Sequence, residues 1–245
     1  MLQRAATAHT LNGVDARPEV VFGAIEELSR RFVTCVERRF DELGRLSLAL
    51  PGGSAAEAFC PALARARIRW RDVDLFWCDE RAVPPDHADS NYRIAHELLL
   101  SRVEIDPARL HRMRADAPDL DAAAVEYETR IIRSSGAPPH LDVVLLGVGS
   151  DGHVCSLFPG HQALAEAHRL VVPVLDSPKP PPRRLTLTLP ALARALIVVA
   201  AVDESKAAVV KEALDDPASD LPVARAIQIG QAGLFLLGSR LSSLI

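Results

Sequence analysis

The chain has 245 residues, 49% of them apolar and 24% charged, with a formal charge of −4. That apolar share supplies a sizeable core, and the length suits one α/β domain, residues 1–245, as well as two small ones. An acidic balance without a Lys/Arg run, and only 4% aromatic residues, argue against a nucleic-acid partner, and no apolar run reaches the ~18 residues of a membrane span.

In chain order, the stretch MLQRAATAHTLNGVDARPEV carries no apolar signal-peptide core, so a soluble cytoplasmic protein is expected. Apolar residues at helical spacing run from Val20 to Leu43, and Gly44 stops them. RLSLAL is a short strand ending at the glycine turn PGGS, and Ser54 reads as the cap of a second helix, SAAEAFCPALARAR. DVDLFW is the next strand, Val73 to Trp77, and CDERAVPPDHADS reads as a loop rich in Pro and Asp. Ser90 is placed to cap NYRIAHELLLSR, and Asp119 or Asp121 to start DLDAAAVEYETRIIRSS. LDVVLLG is a strand that opens on the loop GVGSDGHVCSLFPG. RLVVPVL and RRLTLTL read as strands on either side of DSPKPPPR, a stiff surface loop. ALIVVAAV is a strand, DESKAAVVKEALDD a helix and AGLFLLG a last strand.

Strands alternate with helices almost throughout, and several strands are unbroken apolar runs. This pattern predicts an α/β fold with a mainly parallel sheet and helices on both faces. Ligands of such sheets bind beyond the carboxyl ends of the strands. Four strand ends carry unusual chemistry, PGGS, CDER, GVGSDGH and VDESK, and their shared position groups them into one site. The cysteines, Cys35, Cys60, Cys78 and Cys155, form no CxxC pair, so neither a metal site nor a disulfide frame is expected and the thiols should be reduced and mostly buried.

Gly147, Gly149 and Gly152 match G-x-G-x-x-G, and Asp176 follows 24 residues after the last of them. The spacing alone admits a nicotinamide or flavin cofactor. That fingerprint needs its third glycine inside a helix, whereas HVCSLFPG reaches Pro159 and Gly160 within a few residues, leaving room for a turn or two. The other reading centres on His153, a general base by its ordinary pKa near 6.5, with Asp151 to orient the ring or favour its charged form. In isolation the same residues also fit an Asp that caps a short helix and a His bonded to its own loop.

LALPGGSAAEAF is strand, glycine turn, helix. Gly52 and Gly53 leave room for an anion, and the helix N–H groups from about Ser54 onward favour negative charge. The spacing and lysine of a P-loop are missing. Arg81 can fork onto a phosphate or pair with Asp79 or Glu80. Arg184 is preferred over Arg183 as a second basic contact because it lies nearer the strand. Lys206, in the first turn of a helix, opposes the helix dipole, which hints at an anion unless Asp203 and Glu204 compensate.

Taken together, LALPGGS, DLFWCDERAVPPDHADSNY, LDVVLLGVGSDGHVCSLFPG, PKPPPRRLTLTLPAL and IVVAAVDESKAAVVKEAL resemble the 6-phosphogluconolactonase family, in family order from about Leu46 to Leu214. The resemblance implies a Rossmann-like sheet shared with glucosamine-6-phosphate deaminases. It implies hydrolysis of 6-phospho-D-glucono-1,5-lactone in the oxidative pentose phosphate pathway, with no metal or organic cofactor. It places the catalytic histidine on His153 and the motif aspartate on Asp151. Substrate contacts fall on Gly52, Gly53, Ser54, Arg81, Arg184, Lys206 and Gly149. The chain departs from the family at Pro51-Gly-Gly-Ser-Ala-Ala, where S-G-G-S-T-P is frequent, at Cys155, where Ala is frequent, and at Gly238, where an aspartate is frequent. The expected partner is a small phosphosugar lactone, not nucleic acid or membrane, and a monomer and a dimer fit the sequence equally.

Two rival readings use the same residues. A glucosamine-6-phosphate deaminase or isomerase shares the D-G-H loop but continues toward F-N-E-P, where this chain reads CSLFPG; Asp79 would have to supply its acid. A non-catalytic sugar-phosphate sensor would have lost His153 or Arg81, and both are present.

Overall fold

The computed structural model describes residues 18–135, 138–216, 218–230 and 232–245. The stretch 1–17, which carries most of the signal-peptide reading, lies outside them. In chain order the elements are β1 (Glu19–Gly23), α1 (Ile25–Leu43), β2 (Leu46–Leu50), α2 (Gly53–Leu63), β3 (Val73–Trp77), β4 (Asp79–Arg81), α3 (Asn91–Leu98) and α4 (Leu120–Ser135). There follow β5 (Val143–Gly147), β6 (Val171–Val174), β7 (Arg184–Leu187), α5 (Leu189–Leu192), β8 (Leu196–Ala201), α6 (Ala207–Asp215), α7 (Pro222–Ile229) and β9 (Ala232–Gly238).

Six strands form a parallel sheet in the order β1-β9-β8-β5-β2-β3. Every residue of β2 and β3 is buried, as are Val143 to Leu146 and Ile197 to Ala201. Helices cover both faces, so these strands read as largely apolar runs, with Ser47 of β2 and Asp74 of β3 as buried polar exceptions. From β2 the chain passes outward to β3. From β5 it passes the other way, to β8 and β9. The connections therefore diverge between β2 and β5, the switch point at which such sheets open a crevice.

Helix α1 buries Leu28, Phe32, Val36 and Phe40, one residue per turn, and ends at Gly44 with φ +70°. Tyr127 of α4 fastens the end of β3. Its hydroxyl accepts from the Trp77 N–H at 2.6 Å and donates to the Trp77 carbonyl at 3.2 Å. Asp119 Oδ1 accepts from the Ala122 N–H at 3.0 Å, so of the two candidate aspartates Asp119 starts α4.

Four expectations change. Residues from Val20 do not begin the first helix: Glu19–Gly23 is an edge strand paired with β9, because Val20, Val21 and Phe22 suit a pleated surface and α1 starts only at Ile25. Asp79–Arg81, read as loop, is a strand. It joins the two strands flanking the proline-rich loop in a separate antiparallel sheet, β4-β7-β6, which is where RLVVPVL and RRLTLTL belong. Ser54 is not the cap of α2; the Gly52–Gly53 turn sets the start and Ser54 lies inside the first turn. Helix α7 was not anticipated. Of the cysteines, all free, Cys60 and Cys78 are buried and Cys35 and Cys155 partly so, and burial pushes the Cys60 thiol up to about 12.

Candidate active site

Each side chain of β4 has a separate partner. Asp79 is buried: Oδ1 accepts from Asn91 Nδ2 at 3.0 Å, Oδ2 from Ser156 Oγ at 2.6 Å, and Arg184 Nη1 stands 3.8 Å from Oδ2. Glu80 holds the start of α3. Its Oε1 accepts the Arg81 and Asn91 N–H groups at 2.8 Å, and Oε2 accepts the Tyr92 N–H at 2.8 Å and Ser90 Oγ at 3.0 Å. Burial pushes this carboxyl up, and the N–H groups only partly offset it. Ser90 Oγ accepts from the Arg93 N–H at 3.2 Å, the expected cap. Arg81 pairs with neither neighbouring acid. Its Nη1 donates to the Asp89 carbonyl at 2.7 Å, and its Nε is buried without an acceptor among the described residues.

A second candidate cluster is built where β2 and β8 end. Gly53 takes φ +56°, which favours glycine. Gly52 carries the Asn91 carboxamide on its Cα; a Cβ there would meet Asn91 Oδ1 at 1.7 Å. Asn91 Nδ2 also donates to the Asp79 carbonyl at 2.8 Å, so one side chain joins the glycine turn to β4. Lys206 is buried at the end of a single 3-10 turn before α6. Its Nζ pairs with Asp203 at 2.8 Å and donates to Ser54 Oγ at 3.3 Å. The Lys206 ammonium holds the Asp203 carboxyl below the usual range. Gly52, Gly53, Ser54 and Lys206 thus meet above the end of β5, which lies between the two strands that supply them.

Beyond Gly147 the chain curls on itself. The Gly152 N–H donates to the Gly149 carbonyl, and the Gly149 N–H to the His153 carbonyl, both at 2.9 Å. No helix opens directly at the glycines; the next helical residues are a 3-10 turn, Gln162–Ala165, within the limit of a turn or two that the sequence set. The curl lays the His153 ring on Gly149, where a Cβ would come within 2.0 Å of His153 Nδ1 and 2.6 Å of Asp151 Oδ1. A pyrophosphate would have to approach that same backbone. Gly149 is therefore a steric requirement of the histidine, while Gly147 lies against Ala55 and Gly152, at φ +81°, against Leu221.

His153 Nδ1 stands 2.5 Å from Asp151 Oδ1, and the ring rests against Phe158 with centroids 4.6 Å apart. With a carboxylate at Nδ1, the ring proton is held there and Nε2 carries the lone pair. Burial, aided by the nearby Lys179 ammonium, pushes the imidazole pKa below 6.5 against the pull of Asp151 and Asp79. Burial would raise Asp151, but His153 and Lys179 overcome it and hold that carboxyl at about 2. The pair at neutral pH is a neutral ring beside a carboxylate.

Lys179 was missed in the sequence, where SPKPPP carried no signal beyond a stiff loop. Its Nζ lies 3.2 Å from Asp151 Oδ1 and 3.3 Å from His153 Nδ1. Arg184 places it. This guanidinium, 5% exposed, donates from Nη2 to the carbonyls of Lys179 (2.9 Å) and Pro180 (3.1 Å), from Nε to Pro181 (3.0 Å) and from Nη1 to Ser156 Oγ (3.3 Å). Arg184 thus reaches the site as the clamp on the proline-rich loop, while Arg183 beside it is exposed.

Residues 23–235 match the family described as glucosamine-6-phosphate isomerases/6-phosphogluconolactonase. The chain is 39% identical over 232 residues to a 6-phosphogluconolactonase of Rattus norvegicus, covering 90% of this chain and 88% of that one. It is similar in structure to a 6-phosphogluconolactonase of Thermotoga maritima, with TM-score 0.79, 27% identity, and 90% of this chain and 99% of that one covered. A 6-phosphogluconolactonase of Trypanosoma brucei gives TM-score 0.77 and 29% identity, covering 92% of this chain and 98% of that one.

Proposed function

The chain belongs to the glucosamine-6-phosphate isomerase/6-phosphogluconolactonase family, and from that membership we propose that it hydrolyses 6-phospho-D-glucono-1,5-lactone to 6-phospho-D-gluconate in the oxidative pentose phosphate pathway. It is a carboxylic ester hydrolase acting as one cytoplasmic α/β domain whose site draws on both sheets. Among the described residues no helix is long and apolar enough to cross a membrane.

The observation that carries the mechanism is the His153 ring held through Nδ1 by Asp151 at 2.5 Å, in a buried setting that pushes the imidazole pKa down. Nε2 takes a proton from water as that water attacks C1 of the lactone. Asp151 orients the ring and stabilises the imidazolium that forms. Charge growing on the carbonyl oxygen is met by loop N–H groups; those of Ser150 and Asp151 have no acceptor among the described residues, whereas Gly149 and Gly152 are bonded within the loop. Gly52, Gly53, Ser54 and Lys206 take the phosphate, with Arg81 Nε as a further donor, and Arg184 acts through the loop it clamps. No step calls for a metal or an organic cofactor. Asp79, the acid a deaminase would need, has both oxygens engaged by Asn91 and Ser156, which favours the lactonase.

The test generates the lactone with glucose-6-phosphate dehydrogenase and reads the acid through 6-phosphogluconate dehydrogenase and NADPH. Hydrolysis above the spontaneous rate is expected; a folded protein that leaves the rate unchanged would sink the assignment. In the same assay Lys206→Ala should raise KM by roughly 10-fold or more, the worth of one charge-assisted contact, with kcat less affected. An unchanged KM would remove Lys206 from the phosphate seat. Gly149→Ala displaces the ring by about an ångström and should cost on the order of 10²-fold in kcat. Wild-type turnover in that variant would show that the ring does not depend on its bare backbone support.

A further inference from the structure

One charged group at the His153–Asp151 pair has no task in the steps above: Lys179. Its ammonium touches both members, 3.2 Å from Asp151 Oδ1 and 3.3 Å from His153 Nδ1. Since Nδ1 carries the ring proton, the lysine has nothing to donate to there. Lysine and ring converge instead as two donors on one carboxylate oxygen.

The backbone that presents Lys179 is firmly held. Ser177 Oγ donates to the Lys179 carbonyl at 2.9 Å and accepts from the Lys179 N–H at 3.2 Å, and the Ser177 N–H donates to the Pro182 carbonyl at 2.9 Å. Arg184 grips the three carbonyls of Lys179, Pro180 and Pro181. Two sheets are thereby joined at one point: Asp151 and His153 come from the loop after β5, Lys179 from the loop between β6 and β7.

We infer that Lys179 is a positioning residue of this site, its ammonium sharing Asp151 Oδ1 with the imidazole so that the carboxylate steers the ring without drawing a second proton onto it. The inference rests on the reading of His153 as the base. An Asp–His pair alone stabilises the imidazolium, and an imidazolium cannot accept a proton from water. Among the described residues, the charged groups acting most strongly on His153 are Asp151 on its own loop, Asp79 from β4 and Lys179, with Phe158 covering the ring. Both acids favour the charged ring, and Lys179 is the cation that opposes them. Once the ring has taken its proton and charge has grown on the substrate, Asp151 and Lys179 balance one another, and the imidazolium faces the new anion.

The decisive experiment follows the ring C–H NMR signal of His153 against pH in the wild type, Lys179→Met and Lys179→Arg, with His153→Gln for assignment. It also measures kcat/KM against pH for the same proteins. In Lys179→Met the ring should titrate at higher pH than in the wild type, and Lys179→Arg should restore the wild-type midpoint. The activity of Lys179→Met relative to wild type should fall by at least about threefold between pH 8 and pH 6, as more of its base is protonated. A midpoint unmoved in folded Lys179→Met would overturn the inference. So would a KM raised about 10-fold with a relative activity constant in pH, since Lys179 would then hold substrate. Should the wild type fail to hydrolyse the lactone, the functional reading fails, while the NMR comparison still decides whether Lys179 acts on the ring.

Discussion

Replacing His153 with glutamine is expected to lower kcat by ~10²–10⁴-fold with KM little changed, the usual worth of a positioned general base. Glutamine is close to histidine in length and polarity, so the loop should keep its shape, and circular dichroism and melting would verify that. The phosphate seat lies on other elements, which is why the loss should fall on turnover. The wild-type kcat/KM should decline as pH falls through the His153 midpoint, which burial and Lys179 set below 6.5. Asp151 remains a carboxylate down to about 2 and so adds no second limb in the working range. For stability the sign is the same for both groups, since each has a folded pKa below its unfolded value. Their contribution is present above the unfolded pKa and is lost as pH falls through the folded one. A folded His153→Gln enzyme with kcat within threefold of wild type would mean that water is activated elsewhere.

Arg184→Met should be the most destabilising substitution near the site. The guanidinium is 5% exposed and donates to three carbonyls of one loop and to Ser156 Oγ, beside Asp79, itself 8% exposed. Methionine fills much of the volume but supplies none of the donors. Removing one partner of a buried charged cluster costs about 3 kcal/mol or more, which for a chain of this size is a Tm lower by roughly 6–12 °C or more. Arg183→Met, one residue away and exposed, is the control and should move stability by about 0.5 kcal/mol or less. Because Lys179 hangs from the clamped loop, Arg184→Met should also lose activity. A cost under about 1 kcal/mol would show that the loop holds itself.

The parallel sheet was legible because β2, β3, β5 and β8 are buried on both faces and cannot hide in the sequence. The contact between Asp151 and His153 was legible because Asp151, Gly152 and His153 sit together just beyond a strand. Ser90 and Asp119 announced their helices through local bonds that a sequence shows directly. What escaped was decided by distant partners. Asp79–Arg81 has no strand signature and is a strand because β7 pairs with it. Val20 to Phe22 carry apolar residues that continue the spacing of α1 but form β1, which pairs with β9. Helix α7 begins at Pro222 after Leu221, which offers no side-chain cap, so the proline was its one local starting signal. Lys179 has the local signature of any surface lysine; what aims it is a buried arginine five residues later in sequence and one strand away in space.

Strand order carries a consequence for which ligands fit. Neighbouring strands stand about 4.8 Å apart, so the ends of β2 and β8, with β5 between them, are about 10 Å apart. Lys206 and Ser54 close that gap over β5, and the His153 loop rises from β5 itself. On the proposed roles, the spacing of these strand ends sets the span between anchor and base, and the side chains of Lys206 and His153 complete it. A phosphosugar one carbon shorter, held at the same anchor, would offer its carbonyl at the wrong point, and a misplacement of about 1 Å costs on the order of 10²-fold. Discrimination by length then needs no residue that reads length.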